Sequence, residues 1–420
     1  MGLATLYTLV VGCLLIFFSI LIAAKKPRIF LLTILTYNSL VSSIYLDPAF
    51  SKIPNGVDLP IISAHVYVND FFAGIAILSI IFYKNPLKSV SRIEPLKFSL
   101  DLIWSMLCLG IIVCSFQAGY QTSINFWRVY FTAFALIRYL RLHKEFWEIR
   151  FVANAIVFSS LPLTFLVILR FVLNGIGQID SGAGQHAEVQ RASNSGGAFL
   201  ICISFFAILF FWNNKHFFSY LIAPIQFLVL LFLQQRTVLA CLIVGLIFLN
   251  TVNFRRSKTL FRLGVLLLFS TFFLFLRITF NNGLTLATNA TNIYTLEFRQ
   301  TLWFQRLTIT RSIPEWLFGS VFGFTPATDP TIFRLTLHNF FLDFVEFCGL
   351  FGVALILVLF ISSFKIQFPE YFINKFKTIF LLMLFTFSIT YTPEFHMFVL
   401  WGLIISINTQ TSKLPKNQRF

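Results

Sequence analysis

Apolar runs of membrane-crossing length recur from one end of this chain to the other, and no other feature limits its fold so tightly. A bilayer crossing takes about 20 apolar residues as a helix, because hydrocarbon offers a backbone N–H or C=O no partner outside the segment itself. About thirteen such runs are present, near 3–23, 29–46, 70–83, 98–118, 125–141, 151–174, 197–213, 217–234, 237–253, 263–277, 340–363, 378–392 and 396–409. They predict an all-α integral membrane protein, a single polytopic domain over residues 1–420 with about 12–13 transmembrane helices. A composition of 57% hydrophobic and 11% charged residues excludes a soluble interaction module. The first run has neither a preceding basic segment nor a small-residue cleavage site, so it is expected to remain as a span. Cys13, Cys108, Cys114, Cys202, Cys241 and Cys348 all fall inside the runs, at no metal-ligand spacing, and read as small packing residues.

Charge orients the spans. Alternating the runs from an outside N-terminus places the connections 25–28, 84–97, 138–150, 214–216, 254–262, 364–377 and 409–420 on one side, and 22 of the 32 Lys and Arg fall there. Cytoplasmic loops carry such an excess, so this side is expected to face the cytoplasm. Topology accounts for the net charge of +16, and no nucleic-acid partner is read from it. The ten remaining cations are Lys52, Arg128, Arg170, Arg191, Arg236, Arg277, Arg299, Arg306, Arg311 and Arg334. Nine of these are Arg, against nine of the 22 inner ones, a bias that sidedness alone does not require. Guanidinium is a planar fork that grips phosphate bidentately and stays charged when partly desolvated, whereas ammonium is a strongly hydrated point charge. An outer face selective for Arg suggests an anionic ligand, with a diphosphate the natural candidate. Snorkelling to lipid headgroups is the plainer account, above all for Arg128 and Arg170.

Arg236 stands apart. In Gln234-Gln235-Arg236-Thr237 it lies between two apolar runs with almost no loop, which holds a charge at the outer interface where charge is costly and usually functional. Residues 278–338 form the one outer connection long enough for structure of its own. Its stretch from about 295 to 311 lacks Gly and Pro and reads as an amphipathic helix. Arg299, Trp303 and Arg306 share one face of that helix at i, i+4 and i+7. Two cations flanking an indole suit a sugar-phosphate ligand, and an interfacial helix with Trp at headgroup level fits the same pattern. Turn-rich segments then return the chain to the membrane at His338-Asn339-Phe-Phe-Leu-Asp343-Phe-Val-Glu346-Phe-Cys-Gly349-Leu-Phe-Gly352. An imidazole, an amide and two carboxylates at the mouth of an apolar helix point to chemistry, and helix capping is the alternative. His65, His143, His216 and His396, and the loop around Gly182, Gly184 and His186, show no metal-ligand spacing and stay unassigned.

Four pieces occur in order along the chain. They are the tight-turn Arg (Gln235-Arg236-Thr237), the helix with Arg299 and Trp303, the passage Pro314 to Gly323 containing Leu-Phe-Gly, and His338-Asn339 followed by Gly349-x-x-Gly352. The arrangement resembles the bacterial O-antigen polymerase and O-antigen ligase superfamily, over about residues 197–365 by motif and the whole chain by hydropathy. That resemblance implies a GT-C-like integral-membrane glycosyltransferase that moves glycan blocks from undecaprenyl diphosphate without nucleotide sugar, metal or other cofactor. It also implies the bacterial inner membrane, an active site facing the periplasm, and 278–338 as a periplasmic loop. The implied partners are an undecaprenyl-diphosphate-linked oligosaccharide, membrane lipids, a chain-length regulator and other polysaccharide-assembly proteins. The chain departs from the pattern in two places: about thirteen spans where twelve are commoner, and a carboxylate at Glu346, one residue earlier than in the ligases.

Moving a glycan from a lipid diphosphate to a sugar hydroxyl requires a proton acceptor and stabilisation of a departing anion. On the resemblance, His338 is expected to take or orient the hydroxyl proton. Arg236 and Arg299 are expected to hold the diphosphate in a water-poor groove, with Arg306 and Trp303 contacting substrate and Asn339 and Glu346 in support. The comparatively short 278–338 loop, Asp343 and the position of Glu346 favour a polymerase, which joins lipid-linked repeat units. A ligase, which passes the finished chain to lipid A-core, stays open. A transporter of lipid-linked sugars is the third reading, although repeated halves and midplane charges are not seen in the sequence.

Overall fold

The structure, a computed structural model, describes residues 19–42, 56–59, 64–82, 95–118, 120–174, 193–212, 217–233, 235–250, 294–308, 310–319 and 339–408. The first half supplies α1 (Pro27–Ser42), α2 (Val68–Phe82), α3 (Pro95–Ala118), α4 (Tyr120–Leu142), α5 (Ile149–Asn174) and α6 (Ser195–Phe211). The second supplies α7 (Phe217–Leu233), α8 (Arg236–Asn250), α9 (Tyr294–Leu307), α10 (Ile313–Phe318), α11 (Phe340–Lys365), α12 (Tyr371–Thr390) and α13 (Phe395–Ile404). The apolar runs from 29–46 to 237–253, and the last three, each overlap a helix, with most boundaries within five residues and α12 beginning seven residues before the run at 378–392. The run at 263–277, and that at 3–23 up to residue 18, lie outside the described residues.

The all-α expectation needs one correction. In the connection before α2, β1 (Gly56–Leu59) and β2 (Ala64–Tyr67) pair antiparallel, Gly56 opposite Tyr67 and Leu59 opposite Ala64. A segment of four residues cannot satisfy its backbone as an isolated helix, and a hairpin pairs it with its neighbour instead. Among the described helices, Pro95–Val113, Ile149–Leu169, Phe340–Lys365 and Tyr371–Thr390 are long and apolar enough to cross a membrane. The described residues are thus nearly all helical, with helices of membrane-crossing length.

Two helices form the axis of the packing. α6 buries every residue from Ser195 to Ile208, and α13 buries all of its residues, as helices apolar on every side must. Around them, α5 packs on α1 and α6, α4 on α3 and α13, α12 on α8, and α11 on α3 and α12. The surrounding helices leave apolar side chains on their outer faces, including Ile112 and Phe116 on α3, Phe165 on α5, Ile247 on α8 and Ile361 on α11. In lipid such faces gain nothing by association, so helices are held by close packing and polar contacts. Ring packing explains part of the use of 56 Phe. Tyr130 on α4 meets Phe344 and Phe347 of α11 edge-on, at 5.2 and 4.9 Å between centroids, each pair contributing about 0.5–1.5 kcal/mol. Gln226 Nε2 on α7 donates to Ser160 Oγ on α5 and Ser204 Oγ on α6, at 2.9 and 3.0 Å, tying three helices together.

Polar contacts join the helices at both ends. At one end Arg28 pairs with Glu148 at 2.6 Å, Arg141 donates to the Ile405 carbonyl, and the Asn408 N–H donates to the Trp147 carbonyl. At the same end Lys377 is buried and donates to the Phe364 and Ile366 carbonyls, placing a cation where the α11 dipole is negative. The connections 25–28, 138–150 and 364–377, grouped on the basic side by sequence, therefore gather at one end. Ser42, Ser193, Gln235, Asn339 and Ile389 gather at the other, and the candidate site is built there.

Candidate functional site

The chain reaches this rim in four separate places, and hydrogen bonds lock them together. Asn339 ends the connection before α11, and its side-chain oxygen accepts from the N–H groups of Phe341 and Leu342, both at 3.1 Å. Its amide nitrogen donates to the Ile389 carbonyl at 2.9 Å, the last turn of α12. Both ends of the Asn339 amide are thus engaged within the protein, as an N-cap that also staples α11 to α12. One turn on, Asp343 accepts from Tyr130 Oη at 3.2 Å and from Thr392 Oγ1. Asn194 caps α6 and donates to Glu394 Oε2 at 2.7 Å, while the Gly196 N–H donates to Glu394 Oε1 at 2.8 Å. Burial pushes the Glu394 carboxyl above the usual carboxylate range, with His396 and the Gly196 N–H opposing. Gln235 Nε2 donates to the Ser193 carbonyl, so α8 begins, at Arg236, against this same loop.

The charged part of the site lies between α9 and α11. The predicted helix over about 295–311 ends at Leu307, and the chain turns back through residues 310–312 into the short α10. Leu302 and Arg306 face inward, whereas Phe304 and Leu307 are exposed. Arg306 Nη1 lies 3.5 Å from Glu346 Oε1, and Arg311 Nη2, reaching back from the turn, lies 3.7 Å from the same oxygen. All three side chains are buried, at 3%, 1% and 7% exposure. Arg311 is further held by donating to the Arg306 carbonyl at 3.4 Å and by the Trp316 ring 4.9 Å beneath its guanidinium carbon. Burial pulls the Arg311 guanidinium below its usual pKa; Glu346 opposes that and Arg306 adds to it. These groups line a small cleft completed by Trp303, Leu307, Leu342 and Val345.

Two glycines set this geometry. Gly349 interrupts α11 with φ 65° and ψ −169°, and Gly319 ends α10 with φ 60° and ψ −137°, conformations that side chains other than hydrogen rarely adopt. A Cβ at Gly349 would stand 2.3 Å from the Leu317 carbonyl, and one at Gly319 would stand 2.7 Å from the Glu346 carbonyl oxygen. The two backbones touch at the kink, one turn below Glu346. α10 is also fixed at its start, where the Ser312 N–H donates to Glu315 Oε2 at 2.6 Å with Pro314 in the first turn. That bond holds the Glu315 carboxyl below the usual range.

Of the residues expected from sequence, the structure brings Trp303, Arg306 and Glu346 together at one cleft. Arg299 lies two turns before Arg306 on α9 and Arg236 opens α8, but the side chains of Arg236 and Arg299, and the whole of His338, lie outside the described residues. Asn339 fixes the start of α11, one residue after His338. The sequence reading did not single out Arg311, whose only signal was its place among the outer Arg residues. Nor did it anticipate the bonding of Gln235 and Glu394 to the α6 loop. Among the described residues no group of three or more His, Cys, Asp and Glu is placed to hold a metal ion. No protein-family model matches this chain, and no curated protein matches it.

Proposed function

We propose that this protein is a polysaccharide polymerase of the O-antigen type, a GT-C-like enzyme with about 12–13 spans that joins undecaprenyl-diphosphate-linked repeat units at the periplasmic face of the bacterial inner membrane. The observation that carries the reading is the cleft at the rim opposite the basic end of the bundle. There two buried guanidiniums, Arg306 and Arg311, converge beside the Trp303 indole and the apolar Leu342 and Val345. A ligand with an anionic head, a sugar ring and an isoprenoid tail would call on that combination of a cationic fork, an aromatic plate and a greasy wall.

In the proposed reaction a hydroxyl of the acceptor sugar attacks the anomeric carbon of the donor. The new C–O bond forms as the bond from that carbon to the diphosphate breaks. The hydroxyl proton passes to His338, one residue ahead of the Asn339 cap, and the departing diphosphate is stabilised by Arg236 and Arg299 with Arg306. The rim supports this by rigidity, since Asn339, Gln235 and Asn194 bind the starts of α11, α8 and α6 to their neighbours.

Reconstitution with a lipid-linked repeat unit tests the proposal. Purified enzyme given only that substrate should build a ladder of lipid-linked products and release undecaprenyl diphosphate. Product that forms only when lipid A-core is added would make the protein a ligase, and movement of intact donor across the vesicle without new glycosidic bonds would make it a transporter.

A further inference from the structure

We propose that Glu346 is the protein's own stand-in for a phosphoryl group: Arg306 and Arg311 form a two-guanidinium clamp that closes on this carboxylate until the diphosphate of a lipid-linked substrate displaces it. The inference rests on the transferase reading and adds Arg311 and a resting state to its site. Three observations carry it.

The first is convergence. Arg306 comes from α9 and Arg311 from the turn after it, yet both guanidiniums point at one oxygen, Glu346 Oε1. Two buried like charges aimed at one point mark a position for negative charge. The second is the looseness of the fit. At 3.5 and 3.7 Å these two contacts are longer than the roughly 2.7–2.9 Å of a charge-assisted N–H···O bond, so this oxygen sits between the two guanidiniums at less than full hydrogen-bonding contact with either. A phosphoryl group offers three oxygens around a larger centre and can bond both forks at once. The third is the setting. A buried ion cluster of this kind contributes little to stability once desolvation is counted, but this one borders a cleft walled by Trp303, Leu342 and Val345. Arg311 is also aimed by the Trp316 ring and the Arg306 carbonyl, independently of Glu346. The clamp thus keeps part of its geometry when the carboxylate moves aside.

The test is calorimetric titration of the purified full-length protein with inorganic pyrophosphate and with a short water-soluble isoprenyl diphosphate, using the matching isoprenyl alcohol as control. Arg311→Gln leaves the Arg306–Glu346 pair in place and should fold, and it should bind both anions at least about tenfold more weakly, a difference of roughly 1.4 kcal/mol. Glu346→Gln should bind them about tenfold more tightly. Should that variant fail to fold, Glu346→Asp keeps the charge, withdraws it by one methylene, and should also bind more tightly. Unchanged binding in Arg311→Gln, weaker binding in both Glu346 variants, or no binding of either anion by the wild type overturns the proposal. The transferase reading fails separately: if these shifts in affinity occur and no lipid-linked donor is ever turned over, the clamp stands and the reaction does not.

Discussion

Replacing Gly349 by Ala should release α10 from the bundle and disarm the cleft without unfolding the protein. At φ 65° and ψ −169° a residue with a Cβ is strained by about 1–3 kcal/mol. The added carbon would also stand 2.3 Å from the Leu317 carbonyl carbon and oxygen and 2.4 Å from the Phe318 nitrogen. Carbon contacts settle near 3.5–4.0 Å, so the neighbouring backbone must withdraw by about an ångström, at a further cost of roughly 1–3 kcal/mol. The sum, about 2–6 kcal/mol, can be relieved in two ways. Global unfolding typically costs about 5–15 kcal/mol, whereas α10 has six residues and packs chiefly on α11, so local detachment is the cheaper route. It would carry Arg311 away from Glu346. Hydrogen exchange read by mass spectrometry should therefore accelerate over residues 310–319 by a factor of about 30 for each 2 kcal/mol, with the rest of the protein protected as before. Glycan transfer should fall in step. Gly74→Ala, where nothing lies within 4 Å of the added carbon, is the control and should change neither. Unaltered exchange across 310–319 in the Gly349 variant would refute the argument that this contact holds the site.

Arg236→Lys should lose nearly as much transfer activity as Arg236→Ala at normal membrane abundance, because a point charge cannot replace a bidentate fork; full activity in the Lys variant would reduce Arg236 to a generic cation. His338→Ala should abolish transfer while donor binding persists, and the wild-type rate should rise through one ionisation at about pH 6–7; an active His338→Asn enzyme would remove the base assignment. Asn339→Ala leaves the N–H groups of Phe341 and Leu342 and the Ile389 carbonyl short of a partner, and should lower stability by about 1–2 kcal/mol in thermal unfolding, an outcome excluded if the melt is unchanged. Cysteines placed at Thr291 and Lys144 should respond oppositely to an impermeant thiol reagent in intact cells, with labelling at 291 only; labelling at 144 alone would invert the topology and the site with it.

The helices were legible because a bilayer makes them so. Where hydrocarbon surrounds the chain, an apolar run has one way to satisfy its backbone, and the expected boundaries at 98–118, 151–174 and 340–363 fall within three residues of α3, α5 and α11. The hairpin before α2 was not, because Gly56–Leu59 has too short a pattern to declare a period and its pairing with Ala64–Tyr67 depends on the turn between them. Within the bundle, hydropathy separates apolar from polar but does not rank apolar helices by depth. That α6 and α13 are enclosed while α3 is half exposed follows from packing partners that no single run encodes.

The site was legible in parts and its assembly was not. Trp303 and Arg306 could be paired because a helix brings i and i+3 together, and the structure puts both on one cleft. The same logic hid Arg311. Continued to residue 311, the helix would turn that side chain well away from the Arg306 stripe, five residues being about 140° past a full revolution. The helix instead stops at Leu307 and Arg311 donates to the Arg306 carbonyl, so a residue that periodicity sends away lies beside its neighbour. The Leu-Phe-Gly319 and Gly349-x-x-Gly352 elements were readable as motifs without a reason. The reason is a backbone contact between residues thirty positions apart, at which neither partner tolerates a Cβ. Those glycines carry no chemistry. They set the height of the Arg311 turn above α11, and a clamp whose two guanidiniums must reach one oxygen depends on that height as much as on the charges themselves.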